Sequence, residues 1–267
     1  MDHIIDHNRR AWDSLVRQRQ RFTRPIKEKD LADPLATVDS SGWLTDGVHG
    51  KCVLCLAAGG GRQSVLYAKA GAHVTVVDIS EEMLELDRRA AKELALDIEV
   101  IHASMHDLSQ LPDSHYDVVI HPVSTCYLPE IKPVYDQVAG VIKTGGVYIS
   151  QHKTPTSLQA RIKPEREGYL ITEPYYFYST PKPMPPAKDT PLRETGTLEY
   201  LHRWEQIIGG LCQCGFVIED LSEPCHAKKD APHGSFEHRA RFIAPYVRIK
   251  ARRIESPSSE QPKLLTP

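Results

Sequence analysis

Residues 51–80 read KCVLCLAAGGGRQSVLYAKAGAHVTVVDIS. Apolar residues run almost unbroken from Cys52 to Ala58, a length that suits a strand buried on both faces, and Gly59, Gly60 and Gly61 follow at once. From Arg62 to Ala70 the pattern changes to helix formers, with Val65, Leu66 and Ala68 on one side, and Gly71-Ala72 stops it. A second buried strand, His73 to Val77, ends in an acid, Asp78. Strand, glycine turn, helix, strand and acid make a βαβ unit of the kind that binds a nucleoside-bearing cofactor. Residues without side chains let the backbone approach the ligand, and the acid accepts hydrogen bonds from two ribose hydroxyls. Spacing leaves two cofactor classes open, because Gly59-x-Gly61-x-x-Ser64 is close to the dinucleotide fingerprint and Asp78 stands roughly where its ribose acid belongs. A nucleotide-triphosphate loop is set aside: Gly50-Lys51 is followed by Cys52 where Ser or Thr is required, and it precedes the strand.

VLCLAAGGG resembles the first motif of class I S-adenosylmethionine-dependent methyltransferases, acid-x-Gly-x-Gly-x-Gly, at Cys55, Ala57, Gly59 and Gly61. Cys55 stands where that family has its acid and Ala57 where it has its first glycine. Further matches follow in order: Val77-Asp78-Ile79-Ser80 with Met83, then Tyr116-Asp117-Val118-Val119, then Ile142-Lys143-Thr144-Gly145-Gly146 before a strand. A dehydrogenase is not expected to show the last of these. The resemblance covers about residues 51–152 and, more weakly, 198–252. It implies an α/β fold, a Rossmann-like three-layer sandwich with a mostly parallel seven-stranded sheet, and S-adenosyl-L-methionine as cofactor. It further implies that Ala57, Ala58, Gly59, Gly60 and Gly61 wrap the cofactor, that Asp78 takes its ribose, and that Ile79 and Met83 flank its adenine. Ser104 stands where the family commonly has an acid for the adenine amino group, beside Met105, with Asp107 as a possible substitute.

The chain has 267 residues, 40% of them hydrophobic, enough for one full α/β core with additions. No apolar run reaches membrane-spanning length, and MDHIIDHNRRAWDS lacks a signal-peptide core, so a soluble cytoplasmic chain is expected. Of six cysteines, Cys52, Cys55 and Cys126 fall in or beside strands, which favours reduced thiols. Cys52-x-x-Cys55 has zinc-like spacing, but a strand turns residues three apart to opposite faces, and no metal site is expected. A formal net charge of −2 argues against nucleic acid as partner. The expected partner is a small-molecule substrate, and the expected state a monomer or homodimer.

Residues 1–50 read as an N-terminal helical lid and connector. An amphipathic helix is predicted from Asp6 to about Val16 with Ala11, Trp12, Leu15 and Val16 as its stripe. Arg17, Arg19, Arg21 and Arg24 read as a solvated basic face or, alternatively, as a patch for an acidic substrate or nucleic acid. Trp12 and the stretch from Phe22 to Pro25 are lid candidates, because in similar methyltransferases this segment folds over the cofactor site. Ser80 is placed to cap a helix that carries Met83. Strands are predicted at 98–102 and 116–122, and the latter leads into HPVSTCYLPE. In an open parallel sheet the ligand lies beyond the carboxyl ends of the strands, which brings Ala58 to Gly61, Asp78, Ser104 and His121 to one rim. His121 is therefore a candidate cofactor contact and general base, His152 at the end of the next strand a second base, and Ser124 and Tyr127 candidate substrate contacts.

A helix over 131–142, closed by Thr144-Gly145-Gly146, and a strand over 147–152 complete the cofactor core of 51–152. Residues 153–197 are rich in proline and tyrosine and read as an inserted substrate cap, with Tyr175 and Tyr176 as substrate contacts. Residues 198–252 return to the core: a helix over 198–214, a strand over 216–221 and a last strand within 239–250. His202, His233 and His238 are possible acceptor-facing groups there. Residues 253–267 read as a disordered tail. The function implied is methyl transfer to an oxygen or nitrogen of a small molecule. Two alternatives stand beside it. One is an NAD(P)-dependent oxidoreductase, for which Tyr178-x-x-x-Lys182 lies among prolines and Tyr246-x-x-x-Lys250 in a predicted strand. The other is a non-catalytic cofactor-binding module.

Overall fold

Strand β1 (Cys52–Leu56) lies between two parallel neighbours, β2 (His73–Asp78) and β4 (Tyr116–His121), which is why it is apolar on both faces. The computed structural model describes residues 1–19, 26–176, 181–185 and 193–255. Within them seven strands form one sheet in the order β3-β2-β1-β4-β5-β7-β6, with β3 at Ile98–His102, β5 at Ile142–Lys153, β6 at Phe216–Ser222 and β7 at Tyr246–Arg253. The first five are mutually parallel and β7 is antiparallel to both β5 and β6. Alternation along β1 builds two cores. Leu54 and Leu56 pack with Tyr135, Val138 and Leu211 on one face, and Val53 and Cys55 with Tyr67, Val76 and Leu84 on the other. Helices α3 (Gln63–Lys69) and α4 (Glu81–Glu93) cover the second face. Helix α5 (Lys132–Val141) covers the first.

Several boundaries differ from the sequence reading. β1 stops at Leu56, because Ala57 takes a left-handed φ of +48° that ends the extended backbone. Ile142-Lys143-Thr144-Gly145-Gly146 is not a turn between helix and strand. Ile142 already pairs with Tyr116 and Val147 with Val118, so the glycines form a bulge inside one strand that Lys143 ties to Asp117 at 2.7 Å. Residues 198–203 are not helical. Leu198 N–H donates to Asn8 Oδ1 (2.7 Å), Tyr200 N–H to the Cys126 carbonyl (2.6 Å), and helix begins only at Trp204, as a π turn over Glu205–Gly209 and then α7 (Gly210–Gln213). The last strand is Tyr246–Arg253, and α8 (Phe236–Arg239) ends where the range predicted for it begins.

Helix α1 (Asp2–Arg17) starts four residues earlier than predicted and buries Ile4, Asn8, Asp13 and Leu15. Asn8 explains a polar residue on that face: its amide donates to the carbonyls of Tyr127 (2.9 Å) and Leu198 (3.1 Å). Two short helices follow in the connector, a 3-10 turn at Glu28–Leu31 and α2 (Pro34–Val38). Residues 153–176 carry α6 (Pro155–Gln159) and two isolated bridges. The lid stretch 22–25, Arg21, Arg24, Tyr178 and the tail from 256 onward lie outside the described residues. Among the described residues no helix is long and apolar enough to cross a membrane.

Candidate active site

The carboxyl ends of β1, β2, β3 and β4 open into a cavity of about 610 Å³. Its floor is the glycine turn. Ala57, Ala58, Gly59 and Gly60 line it, while Gly61 turns away with φ +72° and faces α4, where an added Cβ would meet the Leu86 carbonyl at 2.8 Å. Gly59 has no room for a side chain, since a Cβ would lie 2.8 Å from Met83 Cβ and 3.0 Å from Asp78 Oδ2. Asp78 accepts from the Gly59 amide (3.0 Å) and the Ser80 amide (2.9 Å). Burial raises its pKa, and those amide bonds work in the opposite direction. Ile79, Met83, Ser104 and Met105 line the same half, so the structure brings these predicted cofactor contacts together around Asp78. Asp107 does not join them; its carboxylate accepts from its own turn at Ser109 N–H, 3.2 Å.

Asp87 was not singled out by the sequence reading. It is fully buried on α4, accepts from the Gly60 amide at 2.8 Å and from the Ser64 hydroxyl, and so pins the turn from behind. Burial, opposed by those hydrogen bonds, pushes its pKa up to about 6. A signal for it existed: Met83, Leu84, Asp87 and Ala91 share the buried face of α4, and an acid on an apolar stripe has a reason to be there.

Ser80 caps α4 by accepting from Met83 N–H (3.2 Å) and donates to Asp13 of α1 (2.7 Å), which fixes α1 across the cavity mouth. Trp12 of α1 meets Tyr127 edge-on at 5.7 Å, and both line the cavity together with Ser124. The opposite half has walls that sequence reasoning did not find: Glu194 from the stretch after β5, His226 from the loop after β6, Phe236 at the start of α8, and Gln63, Gln151 and Arg248 from α3, β5 and β7. No local pattern marks these, because each reaches the cavity from a different element. Glu194 accepts from the Tyr127 hydroxyl (2.8 Å) and from Lys153 Nζ (3.0 Å). Burial works against its charge but Lys153 outweighs it, and its pKa lies below the usual carboxylate value.

Several expected contacts lie elsewhere. His121 is 1% exposed and does not reach the wall; its Nδ1 is bonded to the Tyr148 hydroxyl (2.6 Å) and its Nε2 to the Ser124 hydroxyl (2.6 Å). Burial lowers its pKa to about 3, so it is neutral at physiological pH and stands behind Ser124, neither a cofactor contact nor an available base. His152 is also buried, bonded through Nδ1 to Thr125 Oγ1 and through Nε2 to Ser150 Oγ, both at 2.9 Å, and packs on Tyr135 in the core. The reason is strand alternation: both histidines point to the face of the sheet covered by α5. Tyr175 packs against the cluster of Leu158, Met184 and Leu201, with its hydroxyl accepting from Trp204 N–H at 3.2 Å. Tyr176 is 58% exposed beneath Arg203, so neither lines the cavity. His202 is buried against the Thr125 carbonyl, and His233 and His238 join a separate aromatic group with Tyr169 and Phe242.

No group of three or more His, Cys, Asp or Glu side chains suited to a metal occurs among the described residues. Tyr246 and Lys250 stand four residues apart on a strand, about 13 Å along it, and Lys250 is paired with Glu219 at 3.2 Å.

A family model described as a methyltransferase domain matches residues 54–150. Over 235 residues the chain is 32% identical to the uncharacterized methyltransferase YbaJ of Bacillus subtilis (strain 168), covering 84% of this chain and 91% of that protein. It is 38% identical over 111 residues to the demethylmenaquinone methyltransferase of Clavibacter sepedonicus, a match covering 40% of this chain and 44% of that protein. Among solved structures, an S-adenosylmethionine dependent methyltransferase from Mesorhizobium loti superposes with a TM-score of 0.62 at 21% identity, covering 78% of this chain and 93% of that one. The geranyl diphosphate C-methyltransferase from Streptomyces coelicolor A3(2) does so with a TM-score of 0.62 at 14% identity, covering 94% and 98%. At these identities the structural likenesses speak for the fold.

Proposed function

The chain belongs to the class I S-adenosylmethionine-dependent methyltransferases, and from that membership we propose that it methylates an oxygen or nitrogen of a small-molecule acceptor in the cavity walled by α1. The residues suit the cofactor: a backbone bend with no space for a Cβ, a buried carboxylate anchored by two amides, and the apolar side chains Ile79 and Met83 beside it. When bound, S-adenosylmethionine supplies a methyl activated by its positive sulfur, which an acceptor lone pair takes in line with the leaving thioether.

The chain's own contribution is approach and orientation, worth up to ~7–11 kcal/mol in well-aligned systems. Gly59 and Gly60 give backbone contact, Asp78 fixes a ribose, and Trp12 with Tyr127 excludes water from the half where the acceptor sits. Ser124, whose hydroxyl is held by His121, offers the acceptor a hydrogen bond at the wall. His121 itself is a poor proton acceptor at neutral pH, so the acceptor class favoured is one that arrives deprotonated or loses its proton to solvent.

The observation that carries this reading is the convergence of the glycine bend, Asp78 and the aromatic wall on one cavity. Calorimetric titration of the purified chain with S-adenosylhomocysteine and, separately, with NAD+ tests it. Uptake of the first and not the second is expected, followed by turnover within a panel of hydroxy and amino acceptors. The reverse preference sinks the proposal.

A further inference from the structure

We propose that Arg248 is the docking residue for a carboxylate on the acceptor, so that the substrate class is a flat, aromatic or conjugated carboxylic acid. The inference rests on the methyltransferase reading of the cavity. Arg248 lies on β7 opposite Gln151 of β5 and forms part of the cavity wall, half-buried. Among the described residues its guanidinium is held by neutral groups only: Nε donates to Gln151 Oε1 (3.1 Å) and one terminal nitrogen to the hydroxyls of Ser40 (2.7 Å) and Ser41 (3.5 Å). A half-buried cation without a carboxylate is unusual, since burying charge is costly unless it is paired.

The neighbouring acids are committed elsewhere. Asp39 accepts from the amides of Trp43 (3.0 Å) and Leu44 (2.7 Å), Glu194 is bound to Lys153 and Tyr127, and Asp78 to Gly59 and Ser80. These neutral tethers fix the plane of the guanidinium fork and leave its second terminal nitrogen to donate to a carboxylate. The other cavity arginine differs: Arg62 is 48% exposed and already faces Asp30 at 3.6 Å. Two further features set the ligand's shape and direction. Phe236 and Tyr246, with ring centroids 6.4 Å apart and planes tilted by 43°, give the wall near β7 two aromatic faces against which a ring can pack. The anionic Glu194, elsewhere in the wall, repels a carboxylate, which directs the acid end toward Arg248.

The cofactor's methionine end also carries a carboxylate, and the experiment separates the two sources. Full-length protein saturated with S-adenosylhomocysteine is titrated with benzoate and trans-cinnamate and with their neutral twins, benzamide and cinnamamide, followed by ligand-observed NMR. Acids binding at least tenfold more tightly than amides is expected. Arg248→Gln should bring the two within about twofold while affinity for S-adenosylhomocysteine stays within threefold, and Arg248→Lys, which keeps the charge without the fork, should fall between. If Arg248→Gln does not fold, the same comparison is read from Arg248→Lys.

Equal binding of acid and amide by the unaltered protein overturns the inference, as does an acid preference that survives the substitution. A loss of S-adenosylhomocysteine affinity of more than tenfold in Arg248→Gln assigns the arginine to the cofactor and overturns it as well. Failure of the unaltered protein to take up S-adenosylhomocysteine removes the methyltransferase reading of the cavity, and this inference with it. Uptake without acid preference removes this inference alone.

Discussion

Ala57 and Gly59 show how far a single position constrains the bend. Ala57 carries a φ of +48°, which an L-residue with a Cβ adopts at a penalty of about 1–2 kcal/mol, partly offset in any glycine replacement by glycine's larger unfolded-state entropy of about 0.5–1 kcal/mol. Ala57→Gly is therefore expected to raise unfolding free energy slightly, by about 0.5 kcal/mol, read as a later urea midpoint; an earlier midpoint contradicts the strain assigned to this residue. Gly59→Ala has the opposite sign. Its Cβ would sit 2.8 Å from Met83 Cβ, and overpacking of this kind costs roughly 1–3 kcal/mol. Affinity for S-adenosylhomocysteine is expected to drop at least tenfold, because relief of the clash must displace either α4 or Asp78. Calorimetry showing undiminished binding would mean the ligand does not lie on this bend.

Between elements, the junction of α1 and α4 decides whether the cavity has a fourth wall. Ser80 serves both helices at once, capping α4 and donating to the buried Asp13. Ser80→Ala removes a cap, about 1 kcal/mol, and strips a partner from a buried carboxylate, about 1–3 kcal/mol, so a total of about 2–4 kcal/mol is expected. Urea denaturation measures that loss, and a change under 0.5 kcal/mol would show that α1 is not held through this contact. The cap was legible in Ser80-Glu81-Glu82 as a local pattern, whereas the bond to Asp13 spans 67 residues and was not. The same distinction explains the boundaries that moved. Residues 198–203 have helical spacing of apolar groups, but Asn8 and the Cys126 carbonyl draw their backbone amides into extended pairing. Thr144-Gly145-Gly146 has turn composition, yet pairing of Ile142 with Tyr116 continues the strand through it.

For the molecule as a whole, three buried histidines set the acid limit. Burial lowers the pKa of His121, to about 3, and of His152 and His202; for His152 the other two add to the effect. Unfolded histidine titrates near 6.5, so below that pH the unfolded chain binds protons the folded chain refuses, and stability falls by up to about 1.4 kcal/mol per pH unit for each. Asp87 has the opposite sign: its folded pKa, about 6, lies above the unfolded value of 3.8, so its contribution is present at low pH and lost as pH rises through 6. Asp78, also raised by burial, acts with Asp87, and the three histidines outweigh the two carboxylates, so a net loss of stability is expected between pH 7 and pH 5. Urea titrations at the two pH values check the sign, and His121→Gln should make the dependence shallower. Equal or greater stability at pH 5 would show these histidines to be solvated in solution.

Residues 51–80 by themselves determined the βαβ unit, the glycine bend and the role offered to Asp78, because strand period, helix propensity and the lack of a Cβ act over a few neighbouring residues. The same local logic identified the Ser80 cap, while Ile79 and Met83 beside the cofactor and the mostly parallel sheet were implied by the resemblance of the motifs. Tertiary structure alone decided the acceptor half. It turned His121 and His152 into the core, left Tyr175 and Tyr176 off the wall, and brought Glu194, Phe236 and Arg248 to it from three separate segments. Which face of a strand meets the cavity, and which distant side chain fills the remaining wall, depend on sheet register and on hydrogen bonds between residues tens of positions apart, and no window of sequence contains both partners.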